Sequence, residues 1–140
     1  MRKKKVLICG ATGFIGRNLL ERFKDNEKYE VTALHHKRPI PKMYTNGKVG
    51  KKNNVHWTRA NLTKAEDVKK IMKGIDIVLQ YAATTTGAAD IVSKPYIHVT
   101  DNAVMNSLLL REAFENKVKH FIIPSCSIMY QSSNKLVKET

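Results

Sequence analysis

Three glycines at fixed spacing constrain this chain more than any other feature. Gly10-Ala11-Thr12-Gly13-Phe14-Ile15-Gly16 follows directly on the apolar run Lys5-Val6-Leu7-Ile8-Cys9. It leads into a stretch, Phe14 to Lys24, that places Ile15, Leu19, Leu20 and Phe23 on one helical face. The first run is short and almost wholly apolar, the pattern of a strand buried on both faces. A tight passage from such a strand into a helix calls for residues without a Cβ. Gly10 serves the turn off the strand, and Gly16 lets the helix pack against the sheet.

The same alternation continues along the chain. Glu30 to Leu34 reads as a second strand, and Lys37 to Asn54, with its prolines, glycines and lysines, as a loop. Val55 to Trp57 reads as a third strand. A helix is predicted from about Lys64 to Lys73, with Ala65, Val68, Met72 and Ile75 inward, Thr63 and Glu66 as a capping box, and Gly74 as its stop. Asp76 to Tyr81 is a fourth strand and Thr84 to Tyr96 is loop-like. A long helix follows from about Asp101 to Asn116, carrying Ala103, Leu109, Leu110, Ala113 and Phe114, and His120 to Ser125 is a fifth strand. Apolar strands alternating with helices imply an α/β fold, a Rossmann-type doubly wound parallel sheet. The expected strand order is 3-2-1-4-5, in one domain over residues 1–140 that stops after the fifth strand.

Bulk properties narrow the function classes. The formal charge is +13, concentrated at Arg2 to Lys5 and between Lys37 and Lys52. Such an excess attracts polyanions at long range. No aromatic interleaving and no zinc or helix-turn-helix signature accompanies it, so a solvated basic surface is expected rather than a nucleic-acid interface. No apolar run approaches the roughly 18 residues of a membrane span. The apolar stretch after the basic N-terminus is too short for a secretion signal. A cytoplasmic protein with reduced Cys9 and Cys126 is expected, with no membrane partner and no metal.

In a doubly wound sheet the ligand sits at the carboxyl ends of the strands, where the strand order reverses. Here that point is formed by Gly10 to Gly16 and Tyr81 to Thr86. Backbone amides at the head of the first helix are suited to a diphosphate. Gly10, Thr12, Gly13, Phe14, Ile15 and Gly16 are therefore candidate contacts of a dinucleotide. Where an NAD site ends its second strand with Asp or Glu, this chain has His35-His36-Lys37-Arg38. A carboxylate repels a 2′-phosphate and a cationic cluster attracts it, so NADP is expected over NAD.

The pattern Gly-Ala-Thr-Gly-Phe-Ile-Gly resembles the extended short-chain dehydrogenase/reductases, the group of nucleotide-sugar epimerases, dehydratases and reductases. The resemblance runs the length of the chain. Asn61-Leu62 falls where that family has Asp-Leu beside the adenine. Asp76 to Ala83 resembles its fourth strand and the turn under the cofactor, which implies cofactor roles for Tyr81, Ala82, Ala83 and Thr84. Asn102 falls at the opening of the long helix, where the family often has a structural or active-site asparagine. Val118 to Tyr130 resembles the fifth strand and its serine-rich sequel, with Pro124 beside the cofactor. Within the group, Ala82 to Tyr130 is most similar to the GDP-L-fucose synthases, Pro95, Asn102 and Ser107 included.

The resemblance also implies a catalytic Ser or Thr, Tyr and Lys. The Ser/Thr position falls on Cys126, between Ser125 and Ser127, and a thiol is a poor hydrogen-bond donor. Either the site departs from the pattern or a neighbouring serine substitutes. The family's Tyr-x-x-x-Lys pair is expected beyond Thr140; Tyr130 is followed at the fourth place by Asn134, not lysine. On this reading the chain lacks the pair and is the N-terminal part of a longer enzyme acting on a nucleotide sugar. It is then inactive alone, and prone to self-association through the open edge of its fifth strand. The alternative is a non-catalytic NADP-binding module with a regulatory or redox-sensing role.

Overall fold

The computed structural model describes residues 2–45, 54–85, 88–125 and 131–135. Five strands carry the architecture: β1 (Lys4–Cys9), β2 (Tyr29–His35), β3 (Val55–Arg59), β4 (Ile77–Gln80) and β5 (His120–Ile122). All neighbours pair in parallel, in the order β3-β2-β1-β4-β5. This is the expected doubly wound sheet. The helices are α1 (Phe14–Phe23), α2 (Lys42–Thr45), α3 (Ala65–Ile71), α4 (Ala88–Ser93) and α5 (Tyr96–Glu115).

The central strand explains the layering. Val6, Leu7, Ile8 and Cys9 are all fully buried, and alternate side chains leave opposite faces of the sheet. Val6 and Ile8 pack with Leu20 of α1, Val31 and Ala33 of β2, and Leu79 of β4. Leu7 and Cys9 pack on the other side with Val68 of α3 and with Met105, Leu109 and Ala113 of α5. No described helix is long and apolar enough to cross a membrane. Cys9 is enclosed in this core, and burial pushes its thiol up to about 12, so it stays protonated and inert at neutral pH.

Several sequence expectations shift. The loop-like stretch before α5 contains α4, and α5 itself begins at Tyr96, with Pro95 as the N-cap. Proline suits that place because the first amides of a helix have no intrahelical acceptor. The capping box of Thr63 and Glu66 does not form, because α3 starts one residue later with Lys64 at its N-cap. The Thr63 amide and hydroxyl instead both donate to Asn61 Oδ1, at 3.1 and 2.9 Å. Asp67, rather than Glu66, reaches back to accept the Asn61 amide at 2.8 Å. Ala65, expected inward, is exposed, and so are Ala103, Leu110 and Phe114 among the apolar residues of the long helix. α3 ends earlier than expected, at Ile71 with Met72 as its C-cap, and Gly74 turns the chain beyond it in the left-handed conformation with φ 71°.

At the amino ends of the strands Asp76 ties three of them together. Its carboxylate accepts the Lys5 amide at 2.9 Å and Arg2 Nη2 at 2.6 Å. Its carbonyl accepts the amide of Lys119 at 2.9 Å. The Lys5 amide, helped by the charges of Arg2 and Lys119, holds the Asp76 carboxyl below the ordinary carboxylate range against the cost of burial. A depressed native pKa stabilises the fold above the unfolded value near pH 4 and is lost as pH falls through the native value. Replacing Asp76 with Asn should cost about 1–3 kcal/mol at neutral pH and flatten the acid limb of stability below about pH 4. Urea unfolding of both proteins across that range measures the effect.

Candidate functional site

The first glycine turn is set by two close approaches. Gly10 leaves β1 with φ 75°, and a Cβ there would stand 2.7 Å from the Tyr81 carbonyl. The Gly13 amide donates to the Gly10 carbonyl at 2.9 Å and closes the turn. A Cβ at Gly16 would stand 2.2 Å from the Gly10 oxygen. Backbone surrounds both positions, so neither contact can relax by a side chain moving aside.

The head of α1 lies just beyond. Gly13 is its extended N-cap, no side chain caps it, and its first turn holds no acidic residue. The first amide seated on a helical carbonyl is that of Arg17, bonded to Gly13 at 3.0 Å. Among the described residues the amides of Phe14, Ile15 and Gly16 have no acceptor. Ile15, expected on the inward face, is exposed, as is Phe14; Gly16 and Leu20 take the buried face instead. Thr12 is half-buried beside them. Three free amides at the positive end of a helix dipole can hold an anion.

The exit of β4 forms the opposite wall. The Tyr81 amide donates to the Cys9 carbonyl at 3.2 Å, which keeps the two strand ends side by side. Gln80 is buried, and its side chain is fully used. Nε2 donates to the Ala82 carbonyl at 3.0 Å and to Asn106 Oδ1 at 2.9 Å, while Oε1 accepts the Ala82 amide at 3.2 Å. Asn102, one helical turn before Asn106, clamps the next residues. Its Oδ1 accepts the Thr84 amide at 2.8 Å, and its Nδ2 donates to the Thr84 carbonyl at 3.1 Å and the His98 carbonyl at 2.6 Å. Asn102 therefore sits in the second turn of α5 and does not open it. Sequence reading missed Gln80 and Asn106. The available signal was a polar residue closing an apolar strand, which needs partners when buried, and two asparagines spaced i, i+4 on one helix face.

The exit of β2 brings the basic residues to the same end of the sheet. His35 is half-buried and meets Trp57 edge-on, with centroids 6.3 Å apart. His36, Lys37 and Arg38 are exposed. Leu62 is a core side chain, and Asn61 is engaged by Thr63 and Asp67, so what these two offer a ligand is chiefly backbone and the Asn61 side-chain amide. Ala82 and Thr84 are half-buried and Ala83 is exposed. Pro124 and Ser125 lie exposed beyond β5. Cys126 and Ser127 lie outside the described residues. No group of three metal-ligating side chains occurs among the described residues.

One expectation about the catalytic pair needs correcting. The spacing Tyr-x-x-x-Lys does occur, at Tyr44 and Lys48. It lies between β2 and β3 rather than after β5. Lys48 is outside the described residues, and the Tyr44 hydroxyl donates to Glu21 Oε1. Burial, then the hydrogen bond to Glu21, pushes the phenol up, the opposite of what a tyrosine acid/base requires.

Residues 6–140 match the family described as NAD dependent epimerase/dehydratase. The chain belongs to the NAD dependent epimerase/dehydratase family. Solved structures agree in fold. The UDP-N-acetylglucosamine 4-epimerase of Methanobrevibacter ruminantium, in complex with UDP-N-acetylmuramic acid, is 25% identical with a TM-score of 0.77, and the match covers 99% of this chain and 43% of that one. A mutant UDP-glucuronic acid 4-epimerase of Bacillus cereus, in complex with UDP-4-deoxy-4-fluoro-glucuronic acid and NAD, is 26% identical with a TM-score of 0.73, covering 96% and 44%. The chain thus spans about two-fifths of the length of these epimerase/dehydratase structures.

The 2.2 Å approach at Gly16 gives a direct test of this family's first turn in the present chain. Gly16→Ala should destabilise by about 1–3 kcal/mol or more, because α1 must lift off the turn. Gly74→Ala, whose Cβ would meet nothing within 4 Å, should cost only the strain of its left-handed φ, about 1 kcal/mol. Thermal and urea denaturation of the two variants should rank them in that order.

Proposed function

We propose that this chain is the nicotinamide-dinucleotide-binding portion of a nucleotide-sugar epimerase, dehydratase or reductase, and that it prefers NADP to NAD. On this reading the sugar-nucleotide site is built largely by other residues. The observation that carries the proposal is the head of α1, with three amides lacking acceptors beside a turn that a Cβ at Gly10 or Gly16 would fill. The amides of Phe14, Ile15 and Gly16 hold the diphosphate, with Thr12 and Gly13 lining its approach. Tyr81, Ala82, Ala83 and Thr84 run beneath the cofactor, kept in place by Gln80 and Asn102. Asn61 and Leu62 would meet the adenine through their backbone, and Pro124 would lie beside the cofactor. A nicotinamide held there would supply hydride exchange with a sugar carbon.

Preference for NADP follows from the exit of β2. β2 ends on His35 and continues into His36, Lys37 and Arg38, with no carboxylate among the four to take the ribose hydroxyls or to repel a phosphate. His36, Lys37 and Arg38 surround a 2′-phosphate, with His35 behind them. Ser125, Ser127 or Cys126 supplies the hydrogen bond to the reacting oxygen, and a serine is the better donor. Among the family's reactions, the GDP-L-fucose synthase type is favoured by the pattern from Ala82 to Tyr130. Fluorescence titration should find NADPH binding about tenfold or more tighter than NADH, the size of one charge-assisted contact. Equal affinities would remove the NADP preference, and no binding of either would remove the whole reading.

The outer face of α5 supports self-association with a second copy of this chain. Tyr96, Leu110 and Phe114 are 62%, 52% and 83% exposed, on the side away from buried Met105 and Leu109. A helix apolar on both sides is usually covered on both. Antiparallel approach of a second copy sets Tyr96 against its Phe114 and Ala103 against its Ser107, so small residues meet at the centre where the axes come closest. The expected route through the edge of β5 is weaker, since that strand is three residues long. Phe114→Glu should lower the mass seen by light scattering towards 15.9 kDa with the circular dichroism unchanged. An oligomer that survives the change excludes this face.

A further inference from the structure

Helix α2 is a single turn, too short to hold itself together. It stands where the crossover between β2 and β3 passes the face that also carries α1, and two contacts fix it there. The Tyr44 hydroxyl donates to Glu21 Oε1 on α1. The Tyr44 ring lies tilted on Trp57 of β3, with centroids 5.5 Å apart. The Tyr44 amide donates to the Pro41 carbonyl at 2.8 Å. Glu21 is held in turn by Lys24 Nζ at 2.6 Å.

Between this latch and the end of β2 runs a short, stiff span. His35 is anchored by its pairing with Arg59 and by the Ala60 amide, which donates to its carbonyl at 3.1 Å. Pro39 and Pro41 restrict the backbone on the way to Tyr44. The side chains of His36, Lys37 and Arg38, on the same span, are exposed and have no hydrogen-bond or ion-pair partner among the described residues. The positive charge of Arg17, in the first turn of α1, is felt at the Tyr44 hydroxyl.

We infer that Tyr44 is a positioning residue for cofactor selectivity: its bond to Glu21 holds the His36–Arg38 turn ready for a phosphorylated ribose that Tyr44 itself does not touch. The inference rests on the NADP reading above. A turn pinned at both ends has little freedom left to lose when a phosphate arrives, so ordering it costs little binding energy. Released from Glu21, the turn must be ordered by the ligand. NADH has no 2′-phosphate and does not recruit the turn, so its affinity does not depend on the latch.

Tyr44→Phe keeps the ring on Trp57 and removes the one hydroxyl. The expected result is a three- to tenfold loss of NADPH affinity, about the cost of ordering one or two side chains, with NADH affinity unchanged. Glu21→Ala should reproduce it, Glu21→Gln should largely rescue it because the amide oxygen still accepts, and the double variant Tyr44→Phe/Glu21→Ala should lose no more than either single change. Binding of 2′,5′-ADP against 5′-AMP reads the same difference without the nicotinamide. If the unaltered protein prefers NADPH and Tyr44→Phe keeps the full preference, the positioning role is wrong and the cofactor reading stands. If the unaltered protein shows no preference, the cofactor reading fails and this inference fails with it.

Discussion

The contact between the Gly10 carbonyl and Gly16 governs the geometry of the whole site. It brings the first turn of α1 down onto the end of β1, at a distance no side chain tolerates. Because the helix starts there, the unpaired amides of Phe14, Ile15 and Gly16 lie at the carboxyl end of β1. The same turn packs Gly10 against the backbone of Tyr81 and Ala82, so the exits of β1 and β4 are held together as one surface. A parallel sheet reverses its winding at that place, and the crevice it leaves is where anionic ligands meet helix dipoles.

Two polar networks support this surface from behind. Gln80, Asn102 and Asn106 join the β4 exit to α5 through hydrogen bonds that satisfy buried groups. Partly satisfied, such a network would cost more than an apolar replacement; fully satisfied, it fixes one conformation of the Tyr81–Thr84 segment. On the other flank Tyr44, Glu21 and Trp57 hold the described first part of the β2–β3 connection. Rigid backing of this kind lets short loops present backbone amides and charges with little freedom to lose on binding.

Much of the architecture was legible because it is written in local patterns. Four fully buried residues in a row mark β1 as central, and the three glycines after it locate the turn. What escaped was tertiary. The start of α5 at Tyr96 was hidden because Ile97, Val99 and Thr100 are β-branched, although Pro95 was a usable start signal. The capping box failed because α3 starts one residue later with Lys64 at its N-cap, while Thr63 bonds to Asn61, a choice that propensity alone does not settle. Ile15 was placed inward by spacing, yet Gly16 sits closest to the sheet and rotates Ile15 outward. Gln80, Asn106 and Tyr44 act through partners 26 and 23 residues away, and only the folded chain identifies those partners.

The central claim is that the unpaired amides at the head of α1 grip a diphosphate. Backbone amide shifts of the isotope-labelled chain, followed by two-dimensional NMR during titration with NADP, test it residue by residue. The account predicts the largest saturable shifts at Phe14, Ile15 and Gly16, with slowed hydrogen exchange at the same amides. Saturable binding that leaves those three resonances unmoved and perturbs another face of the sheet would contradict it.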